Sequence, residues 1–309
     1  SDLEQLTTVS DVSSAYLEWA REHRKSWKEI EYTVGTHILP ALGEVPIEEL
    51  TTGLLRRWHE SLAKQPARIR SAKGKQRSQL ARTSDEKRAR KATANRILTV
   101  LKAALNRAWA DGRIQGSDTA WRRVRPFRGV ERSRARYLES AEIKRLLNAI
   151  AEPEFRDLVV GAIYTGMRYA ELAGLSVLDV HLDSASVLVQ QSKSDKGHAV
   201  FLNEEGIERF DRLCAGRASA ARVFEKSNGT PWGKSQQTKR MAVACEIAKI
   251  EPALVFHGLR HTYASLYLMA GGGLSDLAKQ LGHSSTAMVE RYYGHLADAW
   301  RAERARQFA

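Results

Sequence analysis

Apolar side chains recur with a helical beat through much of the first 110 residues. Between residues 9 and 24, Val12, Tyr16, Trp19 and Ala20 share one helical face. A second helix is predicted from about Trp27 to Leu39, stopped near Pro40 and Gly43. Thr51 or Thr52 caps a third, with Leu54, Leu55, Trp58 and Leu62 as its stripe. A fourth, from about residue 90 to 110, buries Ile97, Val100, Leu101, Ala104, Leu105 and Ala108 and ends at Asp111-Gly112. No convincing strand pattern falls between them, so this part reads as a small all-α module.

The beat is lost twice. From Pro66 to Arg90, Lys73, Lys75, Arg77, Arg82, Lys87 and Arg88 stand among Ser, Gln and Gly with almost no apolar residue. That composition fits a solvated loop and equally an arm that orders along a phosphate backbone, two compatible readings. From Arg122 to Arg136 there are seven arginines, among them Arg122, Arg123, Arg125 and Arg128, around Pro126 and Gly129. Neither period survives there, and the run reads as an interdomain linker suited to lie against phosphates.

From Tyr137 the pattern resumes. Ser140 caps a helix reaching Ile150, and another spans about Glu154 to Thr165. Residues 186–191 and 198–202 read as a hairpin with SKSDKG as its turn. Helices follow at about 203–215, 234–249, 259–270, 274–281 and 286–293, and Leu296 to Phe308 forms a last one. The layout is therefore a helical domain over 1–125, an Arg-rich linker over 126–136, and a second domain over 137–309 with one small sheet. No internal repeat is present.

Charge narrows the partner. The 309 residues carry a net +13, which points first to nucleic acid and second to an anionic membrane surface. No run of about 18 apolar residues occurs, and the opening SDLEQLTTVS has neither signal-peptide nor anchor character. Cys214 and Cys245 form no CxxC pair and no disulfide framework, which fits a reduced, intracellular setting with both as small buried hydrophobes. Gly271 to Gly273 reads as a turn, since no GxxxxGK[ST] accompanies it. No HExxH, Cys/His cluster or EF-hand loop appears, so neither a metal nor a nucleotide cofactor is expected.

The chemistry sits in the second half. Arg168 lies in TGMRYAEL, Lys193 in SKSDKG, His257 and Arg260 in HGLRHTYAS, His283 in LGHSS, and Tyr292 and Tyr293 in ERYYGH. Several cations converging on a phenol are what a metal-free attack on a phosphodiester requires. A tyrosine of pKa about 10 is ionised in only about one molecule in a thousand at pH 7. Charge building on the non-bridging oxygens is matched best by guanidiniums, and the departing 5′ oxygen needs a proton. HxxR places His257 and Arg260 on one helix face. Lys196 competes with Lys193, and His261 reads as a structural histidine.

In this order, these motifs resemble the tyrosine recombinases, the family of phage integrases and related site-specific recombinases. The resemblance is strong over about 135–300 and weaker over the preceding hundred residues. It implies a mainly α fold with a small β-sheet: an all-α core-binding (SAM-like) N-domain and a mixed α/β tyrosine-recombinase catalytic domain. By resemblance Arg168 and Arg260 clamp the phosphate, and Glu171 supports Arg168. Lys193 is the general acid, His257 a proton-transfer or positioning residue, and His283 a phosphate hydrogen-bonder. Gly258 departs from the family, in which many members carry an acidic residue there. The nucleophile falls nine or ten residues after the LGH histidine in the family, so spacing leaves Tyr292 and Tyr293 open. The Tyr-Gly-His ending favours Tyr293.

The implied activity is DNA cutting and rejoining through a 3′ phosphotyrosine, without metal or ATP. The implied partners are double-stranded DNA bearing a specific attachment or recombination site, further copies in a tetramer on paired sites, and in some cases accessory DNA-bending proteins. The C-terminal helix often docks on a neighbouring copy, with Leu296, Trp300 and Phe308 as its apolar contacts here. No membrane role is implied, and the setting is the bacterial cytoplasm at the nucleoid. The alternatives are a type IB topoisomerase-like enzyme and a non-catalytic DNA-binding protein on the same fold.

Overall fold

Thr8 launches the first helix. Its hydroxyl accepts the Asp11 N–H (3.2 Å) while the Asp11 carboxylate takes the Thr8 N–H (2.9 Å), a reciprocal cap that satisfies two orphan donors. The helix so started, α1 (Val9–His23), opens the first of two units into which the computed structural model divides, Ser1–Arg132 and Ser133–Ala309. The structure describes residues 5–69, 77–130, 136–190, 197–283 and 285–307.

In the first unit α2 (Trp27–Thr33) passes through a π turn at Val34–Ile38 into α3 (Leu39–Leu42). The hydroxyl of Thr51 accepts the Leu54 N–H and caps α4 (Thr52–Lys64). Leu55, Trp58 and Leu62 are buried as the stripe predicts. The basic segment is not one loop. Strands β1 (Ala67–Ile69) and β2 (Arg77–Gln79) pair antiparallel within it, so the module is not wholly helical. Strands of three residues are too short to leave an alternating pattern that can be read.

Helix α5 (Ser84–Ala110) then begins at Ser84 rather than near residue 90. Thr83 and Glu86 form its capping box, and Glu86 also takes the Arg82 N–H at 2.7 Å. Lys87, Arg88 and Arg90 are thus helical, and Arg90 is buried, donating to the Leu62 carbonyl at 2.8 Å. After α6 (Thr119–Arg122) the supposed linker starts inside the core. Trp121 and Val124 are buried, and the Phe127 ring stacks on His59 at 4.3 Å.

In the second unit Arg136 grips the Glu142 carboxylate at 2.9 Å. α7 (Ser140–Ala149) is capped by Glu139 rather than Ser140, because the Glu142 side chain reaches back to the Glu139 N–H. There follow α8 (Pro153–Thr165), α9 (Tyr169–Gly174), β3 (Val180–His181), β4 (Ser186–Val189) and β5 (His198–Phe201). The sheet is antiparallel in the order β3-β4-β5, with Val187 opposite Val200. Both valines are buried and pack in one core with Phe155, Leu158 and Phe210. Helices α10 (Glu204–Cys214), α11 (Gln237–Ile247), α12 (His257–Met269), α13 (Leu274–Gln280) and α14 (Ala287–Gln307) complete the unit.

A smaller apolar cluster joins α12, α13 and α14 through Ala264, Leu268, Leu277, Leu281, Val289 and Tyr293. α14 is continuous where the sequence reads two helices, because the backbone of Gly294 stays helical. Leu296 packs on this cluster of its own unit, while the side chains of Trp300 and Phe308 lie outside the described residues. Cys245 is buried, but Cys214 only half so. Among the described residues no helix is long and apolar enough to cross a membrane, and no cluster of acidic, His and Cys side chains is placed to hold a metal.

The cap at Thr83 predicts a measurable cost. Thr83→Ala is expected to lower stability in urea unfolding by about 1 kcal/mol, whereas Ser84→Ala, one position inside the helix, is expected to change it by less than about 0.5 kcal/mol.

Candidate active site

Arg168 is set by a tight reversal. The Thr165 hydroxyl donates to the Gly161 carbonyl (2.6 Å) and accepts the Met167 N–H (3.2 Å). Gly166 follows at φ +64°, where a Cβ would meet the Tyr263 ring at 2.5 Å, so both conformation and space require glycine. The chain emerges at the start of α9 with Arg168 held twice by Glu171. The carboxylate takes the Arg168 backbone N–H (2.7 Å) and its Nη1 (2.6 Å). Side-chain exposure is 6 % for Glu171 and 31 % for Arg168, so the carboxylate is the buried anchor and the guanidinium the accessible head.

The first turns of α12 carry His257, Arg260 and His261. Arg260 is 4 % exposed. Its Nη1 donates to the Gly166 carbonyl (3.0 Å), and its Nη2 to the Leu281 carbonyl (2.5 Å) and His283 Nε2 (2.9 Å). A guanidinium only donates, so His283 Nε2 accepts and its proton rests on Nδ1. That Nδ1 is buried and has no partner among the described residues. Gly258 packs tightly: a Cβ there would meet the Leu254 side chain at 2.4 Å, so a larger residue would require Leu254 to move.

Tyr293 projects from α14 into the same region and is 4 % exposed, whereas Tyr292 is half-buried. The Tyr293 hydroxyl and His261 Nδ1 share a short hydrogen bond. The His261 ring lies edge-on to His257 at 5.2 Å.

Burial sets the protonation states. It drives His261 and His283 down to about 4. His257 adds to the effect at His261, and Arg260 and Arg168 add to it at His283. His257 and His198 are lowered too, again first by burial. Arg260 falls to about 10, through burial and then repulsion from Arg168, and stays charged at neutral pH. Burial pushes the Tyr293 phenol well above its ordinary value, with Arg260 opposing. The site at pH 7 therefore holds two guanidiniums, one carboxylate, neutral imidazoles and a neutral phenol. Its excess charge is positive.

These contacts and couplings bring Arg168, Glu171, His257, Arg260, His283 and Tyr293 together. Lys193 lies outside the described residues, as do Lys73, Lys75 and the Arg77 side chain. Arg82, Arg123, Arg125 and Arg128 are exposed, and Arg122 pairs with Asp118 at 2.6 Å. The sequence reading took His261 as a structural histidine and passed over His198. His261 is the phenol's partner, and its spacing four residues after His257 placed it on that same helix face. The His198 ring lies against Gly282, and both its nitrogens are buried. Strand alternation, which puts it on the face of Val200, was its only signal.

Residues 136–299 match the model of the phage integrase family. The chain belongs to that family. Among curated members of the phage integrase family, the integrase of Salmonella phage P22 is 33% identical over 185 residues, covering 56% of this chain and 47% of that protein. The chain thus spans about half the length of that relative. Among solved structures, the Tn1549 transposon integrase in complex with transposon right end DNA superposes with a TM-score of 0.74 at 20% identity, covering 98% of this chain and 100% of that one. A lambda integrase tetramer bound to a Holliday junction superposes at 0.66 and 18% identity, over 90% of this chain and 75% of that one. The last two likenesses establish the phage integrase fold.

The neutral histidines predict a pH dependence of stability. Unfolded histidines protonate near the ordinary 6.5, but folded His261 and His283 only near 4. Unfolding takes up protons in that window, so stability falls as the pH is lowered through it and is fully present above it. Urea midpoints from pH 7 to 4 test this, and His261→Phe with His283→Phe is expected to flatten the profile.

Proposed function

We propose that this chain is a site-specific DNA recombinase, an integrase of phage or mobile-element type. It cuts and rejoins duplex DNA through a 3′ phosphotyrosine at Tyr293. The observation that carries the reading is the positive excess of the accessible Arg168 and the buried Arg260 over Glu171, with Arg260 coupled to the buried Tyr293 phenol. A phosphodiester supplies the missing negative charge, and attack on it makes the non-bridging oxygens still more demanding. The neighbouring imidazoles are neutral and add no further cation.

In the proposed step the Tyr293 oxygen bonds to phosphorus as the P–O5′ bond breaks. The phenolic proton leaves through the imidazole that holds it, Nδ1 of His261. The 5′ oxygen takes its proton from Lys193, whose role rests on the family resemblance. His283 Nδ1–H remains as a donor for a non-bridging oxygen. A 5′ hydroxyl of the partner duplex reverses the step, and the phosphoester bond kept in the adduct drives rejoining without ATP. Four copies on two duplexes, in the bacterial cytoplasm at the nucleoid, complete the reading. Arg82, Arg123, Arg125 and Arg128 are the exposed backbone contacts, with Arg77, Lys73 and Lys75 from the hairpin segment.

Incubation in EDTA with a nicked duplex, taken from sites selected out of a random library, is expected to give an SDS-resistant adduct on the 3′ side. Tyr293→Phe is expected to abolish the adduct and keep affinity, and Tyr292→Phe to keep both. Loss with Tyr292→Phe alone moves the nucleophile one residue, and no adduct on any selected site removes the enzymatic reading. Affinity is expected to fall with salt at a log–log slope of about −0.9 per phosphate neutralised. Arg123→Ala with Arg125→Ala is expected to make that slope shallower.

A further inference from the structure

The first unit holds a cavity of about 430 Å³ that the cleavage chemistry does not use. It lies between the π turn at Val34–Ile38, the paired strands β1 and β2, and the first turns of α5. Arg90 lines it from α5. This guanidinium is 8% exposed and donates Nη2 to the Leu62 carbonyl. Its Nε is buried without a partner among the described residues. Arg68 joins the wall from β1 and His37 from the π turn.

Nothing on that wall offsets the charge of Arg90. Glu86 is its one carboxylate among the described residues, and it serves the helix cap, where Oε2 accepts the Arg82 and Thr83 N–H groups. His37 is held below its ordinary value, first by burial and then by repulsion from Arg68 and Arg90, so all three groups share one field. A buried guanidinium without a counter-charge is costly to keep, and an entering anion offsets that cost. Guanidiniums match the oxygens of a phosphate best. The volume suits a small organic group rather than a lone ion. Tyr32 and Leu80, both largely exposed, give the cavity an aromatic and apolar side.

We propose that this cavity binds one nucleotide, its phosphate on Arg90 and Arg68 and its base against Tyr32 and Leu80. A free mononucleotide and a nucleotide of a DNA strand present the same chemistry, and the test separates them. The site takes no part in strand cleavage, so the inference stands or falls apart from the recombinase reading. His37 reports occupancy from within. A phosphate cancels the repulsion of the two arginines, and the imidazole then titrates at higher pH. Tyr32 and Glu86 are the other titratable groups on the wall.

The test follows the His37 side-chain NMR signal of the whole chain, assigned with His37→Gln. Deoxyadenosine 5′-monophosphate is expected to raise the His37 midpoint, and deoxyadenosine, which lacks the phosphate, to leave it in place. Arg90→Met is expected to weaken the mononucleotide by about tenfold or more, and the exposed Arg68→Gln by about threefold. Arg57→Gln, an exposed arginine outside the cavity, is expected to change nothing. If Arg90→Met does not fold, Arg68→Gln against Arg57→Gln decides. A duplex that shifts His37 in the same way and expels the mononucleotide assigns the site to a DNA strand, and Arg68→Gln then makes the salt slope shallower by about 0.9. A mononucleotide that still binds the protein–duplex complex assigns it to the free ligand. The inference is overturned if neither mononucleotide nor duplex moves His37, or if Arg57→Gln weakens binding as much as Arg68→Gln.

Discussion

A guanidinium that is 4% exposed must find every partner inside the protein, and the partners of Arg260 define the second unit's architecture. Its two terminal nitrogens reach the Gly166 carbonyl after α8, the Leu281 carbonyl after α13, and the ring of His283. Backbone carbonyls satisfy its donors without cancelling its charge. Removing a buried charge from water is costly, and carbonyl dipoles repay that cost while leaving the field intact for an anion. The glycine turn before Arg168, the end of α13 and the first turns of α12 are all held to the geometry of this one group.

The imidazoles complete that economy of charge. Four protonated rings near two guanidiniums would repel them and one another, and the site avoids this by burying the rings until they are neutral. The neutral state also assigns directions. His283 accepts from Arg260 on Nε2, which leaves its proton on Nδ1, while His261 and Tyr293 share a hydrogen bond. A buried phenol with raised pKa stays protonated at neutral pH, and His261 keeps its hydroxyl satisfied.

What could be read without coordinates was whatever repeats or clusters along the chain. The apolar stripes of α1, α4 and α5 have period and length, and both arginines, His257, His283 and Tyr293 sit in short motifs with a known order. The start of α5 was hidden because a capping box at Thr83 precedes a helical turn with hardly an apolar residue. The Gly294-His295 step masked the continuity of α14 because a glycine with open space around it bends nothing unless packing asks it to. Gln280 could not be read at all. Its amide bonds the Phe201 backbone and the Tyr263 hydroxyl, and a polar side chain at a helix end does not announce its distant partners.

The path of α14 has a further consequence. Ala287 to Gln307 form one rod, and the Tyr293 ring is wedged among Val289, Leu281 and Leu277. The ring cannot swing free as an isolated side chain, because its seat is shared with two other helices. Freeing the phenol therefore means shifting or turning the rod, and the turns beyond Leu296 act as its handle. A displacement of the rod is therefore also a displacement of the Tyr293 hydroxyl from His261, so the surroundings of that phenol are set by a whole helix and not by a single rotamer.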